Sequence, residues 1–306
     1  MEPSEAQLTI LVTGASGLLG SRVVPLLSRN VPDCRIIAVT RSKEYVSHDS
    51  RVEVVRGDLR DKQLWTRLSN TITNVIHLAA IIPWRAEQKQ QASVVTDNLL
   101  PIANMIEYSQ YWPRLQQVIY SSSVSVYGQT TEWLNECSPT QPASLYGAAK
   151  LCGEDLLCCM KVKGVRTVSL RFSSLYGRGQ YEGTVLPIMV KRARQRQDLL
   201  IFGDGTRTQD FLHCEDAAHA ILVALQQDAS GVYNIGTGTP ITMIALAQTV
   251  SRVFSDGESK IVYQPARADG DPGIKLDVSK AKRELNYRPQ VTLEGGLRKL
   301  KREMET

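Results

Sequence analysis

Short apolar runs recur through the first half of the chain, and between them lie stretches whose apolar positions repeat with helical spacing. That alternation is the pattern of strand–helix–strand units in a parallel sheet, whose strands read as unbroken Val, Ile and Leu runs because both faces are covered. The predicted strands are residues 8–13, 35–40, 52–55, 75–79, 117–121 and 167–171, with a helix over 21–28 and longer helices near 96–110 and 145–163. Beyond residue 172 glycine-rich turns at 176–183, 203–206 and 236–239 break the pattern, and 232–235 is a last strand that would return to the sheet. The expected division is residues 1–172 for an α/β domain, its sheet completed by segments near 210–236, and 173–306 mainly for a smaller, interleaved lobe.

Composition bounds the class. A chain of 306 residues with 42% hydrophobic and 22% charged content suits one large globular domain with an attached lobe. The net charge of +5 is modest. Lys191, Arg192, Arg194 and Arg196 cluster, as do Arg298, Lys299, Lys301 and Arg302, but aromatics are scarce there, so solvated helix faces are expected and no nucleic-acid partner. The six cysteines contain no CxxC pair and read as reduced thiols, and His48, His213 and His219 stand at no ligand spacing that would support metal catalysis. The run at 8–12 follows Glu2 and Glu5 and is too short for a secretory signal, and no stretch approaches the roughly 20 apolar residues that cross a bilayer. A cytoplasmic protein with no membrane partner is expected.

Directly after the first strand comes Thr13-Gly14-Ala15-Ser16-Gly17-Leu18-Leu19-Gly20, which opens the first helix. Glycines there let backbone approach closely, and the first amides of a helix attract a pyrophosphate. A spaced glycine triplet also occurs in unrelated turns; the strand–helix setting makes this one a dinucleotide site. An acidic residue about 20 positions on would bind the adenosine ribose, but Val39-Thr40-Arg41-Ser42 has none. Arg41 can instead pair with a 2′-phosphate, so NADP is expected ahead of NAD, with a solvated loop arginine as the competing reading. Asp58, in Gly57-Asp58-Leu59, could accept from an adenine amine or cap its own turn.

Ser144-Leu145-Tyr146-Gly147-Ala148-Ala149-Lys150 sets a phenol and an ammonium one helical turn apart. The lysine charge would favour the tyrosinate, so a group that ordinarily titrates near ~10 could move protons near neutral pH.

Together with His77-Leu78-Ala79-Ala80, Asn98, the segment Ser121 to Gly128, Leu170 to Gly177, Gly203-Asp204-Gly205, Asp210 to His213 and Leu285 to Pro289, these residues make the chain resemble the extended short-chain dehydrogenase/reductase family, in its branch of nucleotide-sugar epimerases, dehydratases and ketoreductases. The resemblance runs from the glycine turn to near the C-terminus. It implies a Rossmann-like doubly wound parallel sheet with a smaller C-terminal substrate-binding lobe, and a homodimer built on the helices near 96 and 145. The implied NAD(P) site is Gly14, Ser16, Gly17, Leu18, Leu19, Gly20, Arg41, Ser42, Asp58, Leu59, Leu78, Ala79, Ala80 and Asn98, with Tyr146 and Lys150. In the implied catalytic trio Ser123 orients the reacting oxygen, Tyr146 exchanges its proton and Lys150 holds the nicotinamide ribose. The chemistry asks for such groups, because hydride moving to a carbonyl leaves an alkoxide-like oxygen that needs a proton donor and a second hydrogen bond. Ser122 is the near alternative to Ser123. His77, on a strand, is expected to pack and hydrogen-bond rather than catalyse.

Departures from the family pattern narrow the reaction. Dehydratases carry an acidic pair after the catalytic hydroxyl, where this chain has Val124 and Ser125; reductive epimerases carry a cysteine at the place of Ser125 and a histidine after the later Tyr-Gly pair, where Arg178 and Gly179 stand. A nucleotide-sugar 4-epimerase and a keto-sugar reductase remain. For the substrate diphosphate, Ser174 replaces the family's asparagine and Gln209 its arginine; Arg207 and Arg267 are the candidate clamp, with ordinary surface pairing as the competitor for each. A relative acting on a non-sugar carbonyl and a non-catalytic dinucleotide sensor are the rival readings.

Overall fold

The computed structural model describes residues 8–83, 91–265 and 273–305. Thr9–Thr13 (β1) is buried at every position, with Ile10 and Val12 in one core and Leu11 in the other, which is why the run carries no polar alternation. Removing the side chain of a residue such as Leu11 would cost about 2–5 kcal/mol. Gly20–Asn30 (α1) lays Val23, Val24 and Leu27 back on the sheet. Arg35–Thr40 (β2), Val52–Arg56 (β3), Lys62–Thr66 (α2), Asn74–His77 (β4), Ser93–Tyr108 (α3), Gln117–Ser123 (β5), Trp133–Leu134 (β6), Leu145–Cys158 (α4) and Arg166–Phe172 (β7) follow. The later part holds Ser174–Tyr176 (β8), Val185–Arg194 (α5), Leu199–Phe202 (β9), Thr208–Gln209 (β10), Phe211–His213 (β11), Cys214–Gln226 (α6), Gly231–Ile235 (β12), Ile241–Thr242 (β13), Met243–Ser255 (α7), Ile261–Gln264 (β14), Lys275–Leu276 (β15), Ser279–Glu284 (α8) and Leu293–Glu305 (α9).

Seven parallel strands form the main sheet in the order β12-β7-β5-β4-β1-β2-β3. The order turns back between β1 and β4, and the crevice outside the carboxyl ends of the strands at such a point is where ligands bind in this class of sheet. Helices α1 and α6 pack in one core and α3 and α4 in the core on the opposite face. A third core gathers Tyr176, Leu186, Ile201, Leu246 and Leu297 from β8, α5, β9, α7 and α9. Among the described residues no helix is long and apolar enough to cross a membrane.

Two elements end earlier than expected. β4 stops at His77: the Leu78 amide is shared between the carbonyl and the hydroxyl of Thr13, and the Ala79 amide turns to that hydroxyl. The helix expected to 163 ends at Cys158, and a 3₁₀ segment, Cys159–Lys163, leads to Gly164 with φ of 77°. Arg267 lies outside the described residues. Of the basic clusters, Arg298 pairs with Glu294, Arg196 with Glu258 and Lys299 with Glu215.

Candidate active site

The turn after β1 is shaped by close backbone approach. Gly14 has φ of 71°, and a Cβ there would lie 2.8 Å from the Ala79 nitrogen. The Gly17 amide donates to the Gly14 carbonyl at 3.0 Å. No side chain caps the first turn of α1; the Ser21 amide donates to the Gly17 carbonyl and the Val23 amide to the Leu19 carbonyl, and the positive end of the helix favours an anion. Beside it opens a cavity of about 370 Å³. Of the residues expected at a dinucleotide, Gly14, Ser16 and Gly17 line it from the turn, Arg41, Ser42, Asp58 and Leu59 from the ends of β2 and β3, and Leu78, Ala79 and Ala80 from the end of β4.

Other expected residues stand elsewhere. Leu18, Leu19 and Gly20 are not part of the lining; Leu19 packs in the core, and a side chain on Gly20 would run into the Gly14 carbonyl. Asn98 is buried, and its amide bonds the Ile81 backbone on both sides, donating at 2.9 Å and accepting at 3.1 Å, so it shapes the lining through Ile81. Asp58 does cap its turn, accepting from the Arg60 amide at 2.9 Å and from the guanidinium at 2.6 Å, and those bonds hold its carboxyl down at about 2. Arg60 also reaches Asp97 of α3 at 2.7 Å, and both line the cavity. Neither was signalled by a motif, because the ion pair joins α3 to a turn 37 residues away.

The reacting residues meet at the adjoining edge. His77 is in register with Tyr120, so residues 78–80 and 121–123 emerge side by side at the carboxyl end of the sheet. Ser122 and Ser123 face opposite ways along β5: the Ser122 hydroxyl is buried and donates to Glu154, while Ser123 is half-buried and faces the Tyr146 phenol. Tyr146 and Lys150 lie on α4, whose N-cap is Ser144, accepting from the Gly147 amide at 3.1 Å.

The expected acidification of the phenol is absent. Burial pushes the Tyr146 hydroxyl above its ordinary range, with the Ser123 hydroxyl opposing. Burial also pulls Lys150 down to about 7, with Glu154 opposing. The Lys150 ammonium donates to the Ser121 carbonyl at 2.6 Å and lies 5.7 Å from the Tyr146 ring centre. Helical spacing shared a face between the two residues but could not show that the ammonium bonds the strand. His77 is buried, bonds Thr13 at 2.9 Å and is held by burial at about 3, so it stays neutral.

On the side expected for substrate, Gln209 donates to the Ser174 hydroxyl, and its amide oxygen accepts from Arg207 at 2.8 Å. Arg207 and Gln209 thus share a face, as alternate residues of an extended chain do.

A sequence profile described as the NAD dependent epimerase/dehydratase family matches residues 10–236. A dTDP-glucose 4,6-dehydratase of Actinoplanes sp. is 30% identical, over 95% of this chain and 95% of its own. The structure of UDP-glucose 4-epimerase of Thermotoga maritima with UDP-glucose superposes with a TM-score of 0.87 at 27% identity, covering 98% of this chain and 100% of that one. UDP-glucuronic acid 4-epimerase of Bacillus cereus, in complex with UDP-glucuronic acid and NAD, gives 0.84 at 25% identity over 97% and 99%.

Proposed function

Because the chain belongs to the NAD-dependent epimerase/dehydratase family, we propose that it is a nucleotide-sugar 4-epimerase, drawing a hydride from a ring carbon and returning it to the opposite face. The observation that carries this reading is Ser123 facing Tyr146, with Lys150 one turn along α4, at the sheet edge beside the glycine-lined cavity.

The lining fits a dinucleotide: Gly14 lets the turn close against the Ala79 backbone, and the start of α1, which no side chain caps, suits a pyrophosphate. Gly14, Ser16 and Gly17 would hold the phosphates, Arg41, Ser42 and Asp58 the adenosine end, and Ala79 and Ala80 the middle. Bound NAD(P) supplies the site that accepts and returns the hydride. Tyr146 takes the proton of the sugar hydroxyl as its carbon is oxidised and gives it back as the carbon is reduced. Ser123 hydrogen-bonds the same oxygen and holds it in line. The half-buried phenol rests protonated, which suits the reductive half; the oxidative half needs a cation to favour the phenolate, and Lys150 is the one at hand.

Val124 is buried and Ser125 accepts from Ser123 at 3.1 Å, so neither offers the carboxyl group that eliminating water across a sugar would use. Arg207, oriented by Gln209, is our candidate for the substrate diphosphate, and the lobe around the third core for the sugar nucleotide. The absence of a carboxylate at 39–42 and the presence of Arg41 in the lining support NADP over NAD, which also keeps a keto-sugar reductase as the second reading. A cytoplasmic homodimer through α3 and α4 belongs to the same proposal.

A panel of UDP-, GDP- and dTDP-sugars, incubated with NAD or NADP and followed by NMR, tests the reading. An epimer formed without net reduced cofactor is expected. Stoichiometric reduction of NAD or NADP with formation of a keto sugar would replace the epimerase with the reductase running in reverse, and no turnover of any nucleotide sugar would defeat both.

A further inference from the structure

Beneath the reacting residues a buried charge pair ties three elements together. Glu154 lies one turn beyond Lys150 on α4, Arg171 lies near the end of β7, and each side chain is 6% exposed. Arg171 donates to both carboxylate oxygens, Nη2 at 2.7 Å and Nε at 3.0 Å, the forked geometry that makes such pairs strong and directional. The same carboxylate accepts from the Ser122 hydroxyl. Farther on, the Arg171 guanidinium sits 4.8 Å over the Tyr127 ring, whose hydroxyl donates to Asn234 of β12 at 2.7 Å. The approach of α4 to the strand is built in: a Cβ on Gly153 would lie 2.6 Å from the Tyr120 hydroxyl.

A buried ion pair is a weak stabiliser, since desolvation offsets most of its attraction and apolar residues of similar size often serve as well. Its place beside the reacting residues calls for another role. We propose that Glu154, held by Arg171, is a positioning residue that sets Ser123 against Tyr146 and maintains the charge on Lys150. This rests on the roles given above to Ser123, Tyr146 and Lys150. A grip on Ser122 fixes the backbone from which Ser123 extends on the other side of the strand. The groups that face Lys150 are Tyr146 and Glu154 from α4, Tyr120 from β5 and His77 from β4, with Arg171 of β7 across the carboxylate. His77 is neutral at working pH, and burial raises both tyrosines, so the negative charge acting on Lys150 comes from Glu154. Without it the ammonium gives up its proton at lower pH.

Glu154→Gln in the full chain tests this, with NADH or NADPH binding followed by fluorescence from about pH 6 to about pH 9, a range that brackets the lysine. Affinity in the parent should fall as Lys150 loses its proton, and in the variant the midpoint should move about one pH unit lower. For turnover we expect kcat to fall about tenfold with KM nearly unchanged, and Glu154→Asp to restore part of both. If Glu154→Gln does not fold, the apolar pair Glu154→Leu with Arg171→Met, checked by its melting temperature, carries the same measurement. A folded variant that keeps the parent midpoint overturns the inference. Binding needs no sugar turnover, so a parent inactive on every nucleotide sugar would defeat the proposed function while this midpoint still decides the role of Glu154.

Discussion

The cradle after β1 and the ledge of Ser174, Gln209 and Arg207 are built in opposite ways. The cradle uses residues close in sequence, with glycines letting backbone meet backbone and no side chain capping the helix. The ledge draws on residues 35 apart whose side chains bond one another. A site made of absent side chains is specified by a short string and takes a ligand common to many proteins. A site made of paired side chains is specified by tertiary contacts, and its selectivity can change by exchanging one partner.

Three variants sharpen that contrast, from the largest effect to the smallest. Gly14→Ala should be the most damaging, since the position has φ of 71° and meets the Ala79 backbone; we expect a lower melting temperature and dinucleotide affinity reduced about tenfold or more, roughly 1.4 kcal/mol, by fluorescence titration. Unchanged affinity would mean that the cradle is not shaped by that glycine. Arg41→Asp should lower the ratio of NADP to NAD affinity about tenfold, the effect of losing a charge-assisted pair; a constant ratio would place Arg41 among ordinary loop arginines. Gln209→Leu, which removes the hydrogen bonds from Gln209 to Ser174 and from Arg207 to Gln209, should raise KM for the nucleotide sugar about threefold to tenfold with kcat nearly constant, the weight of about one hydrogen bond. An equal loss in kcat would move the ledge into the chemistry.

The same contrast explains what the chain revealed before its structure. Strands such as 35–40 were legible because double-sided burial leaves a continuous apolar run, and the turn at 13–20 because glycine marks close approach. Ser123 could be separated from Ser122 only by family pattern, until the strand was seen to turn Ser122 toward Glu154. The Arg60–Asp97 and Glu154–Arg171 pairs had no sequence signal, since each joins two elements whose approach only the fold fixes. The Tyr146 phenol departs from the acidity its spacing predicts for a related reason: spacing gives the neighbour but not the burial, and burial is what dominates its protonation.

Tyr146→Phe tests the central claim most directly. With the nucleotide sugar that the parent turns over, the variant should lose about 10²–10⁴-fold in kcat, the usual weight of a positioned proton donor, while dinucleotide affinity stays within about twofold. A variant that binds the dinucleotide and turns over at the parent rate would contradict the account.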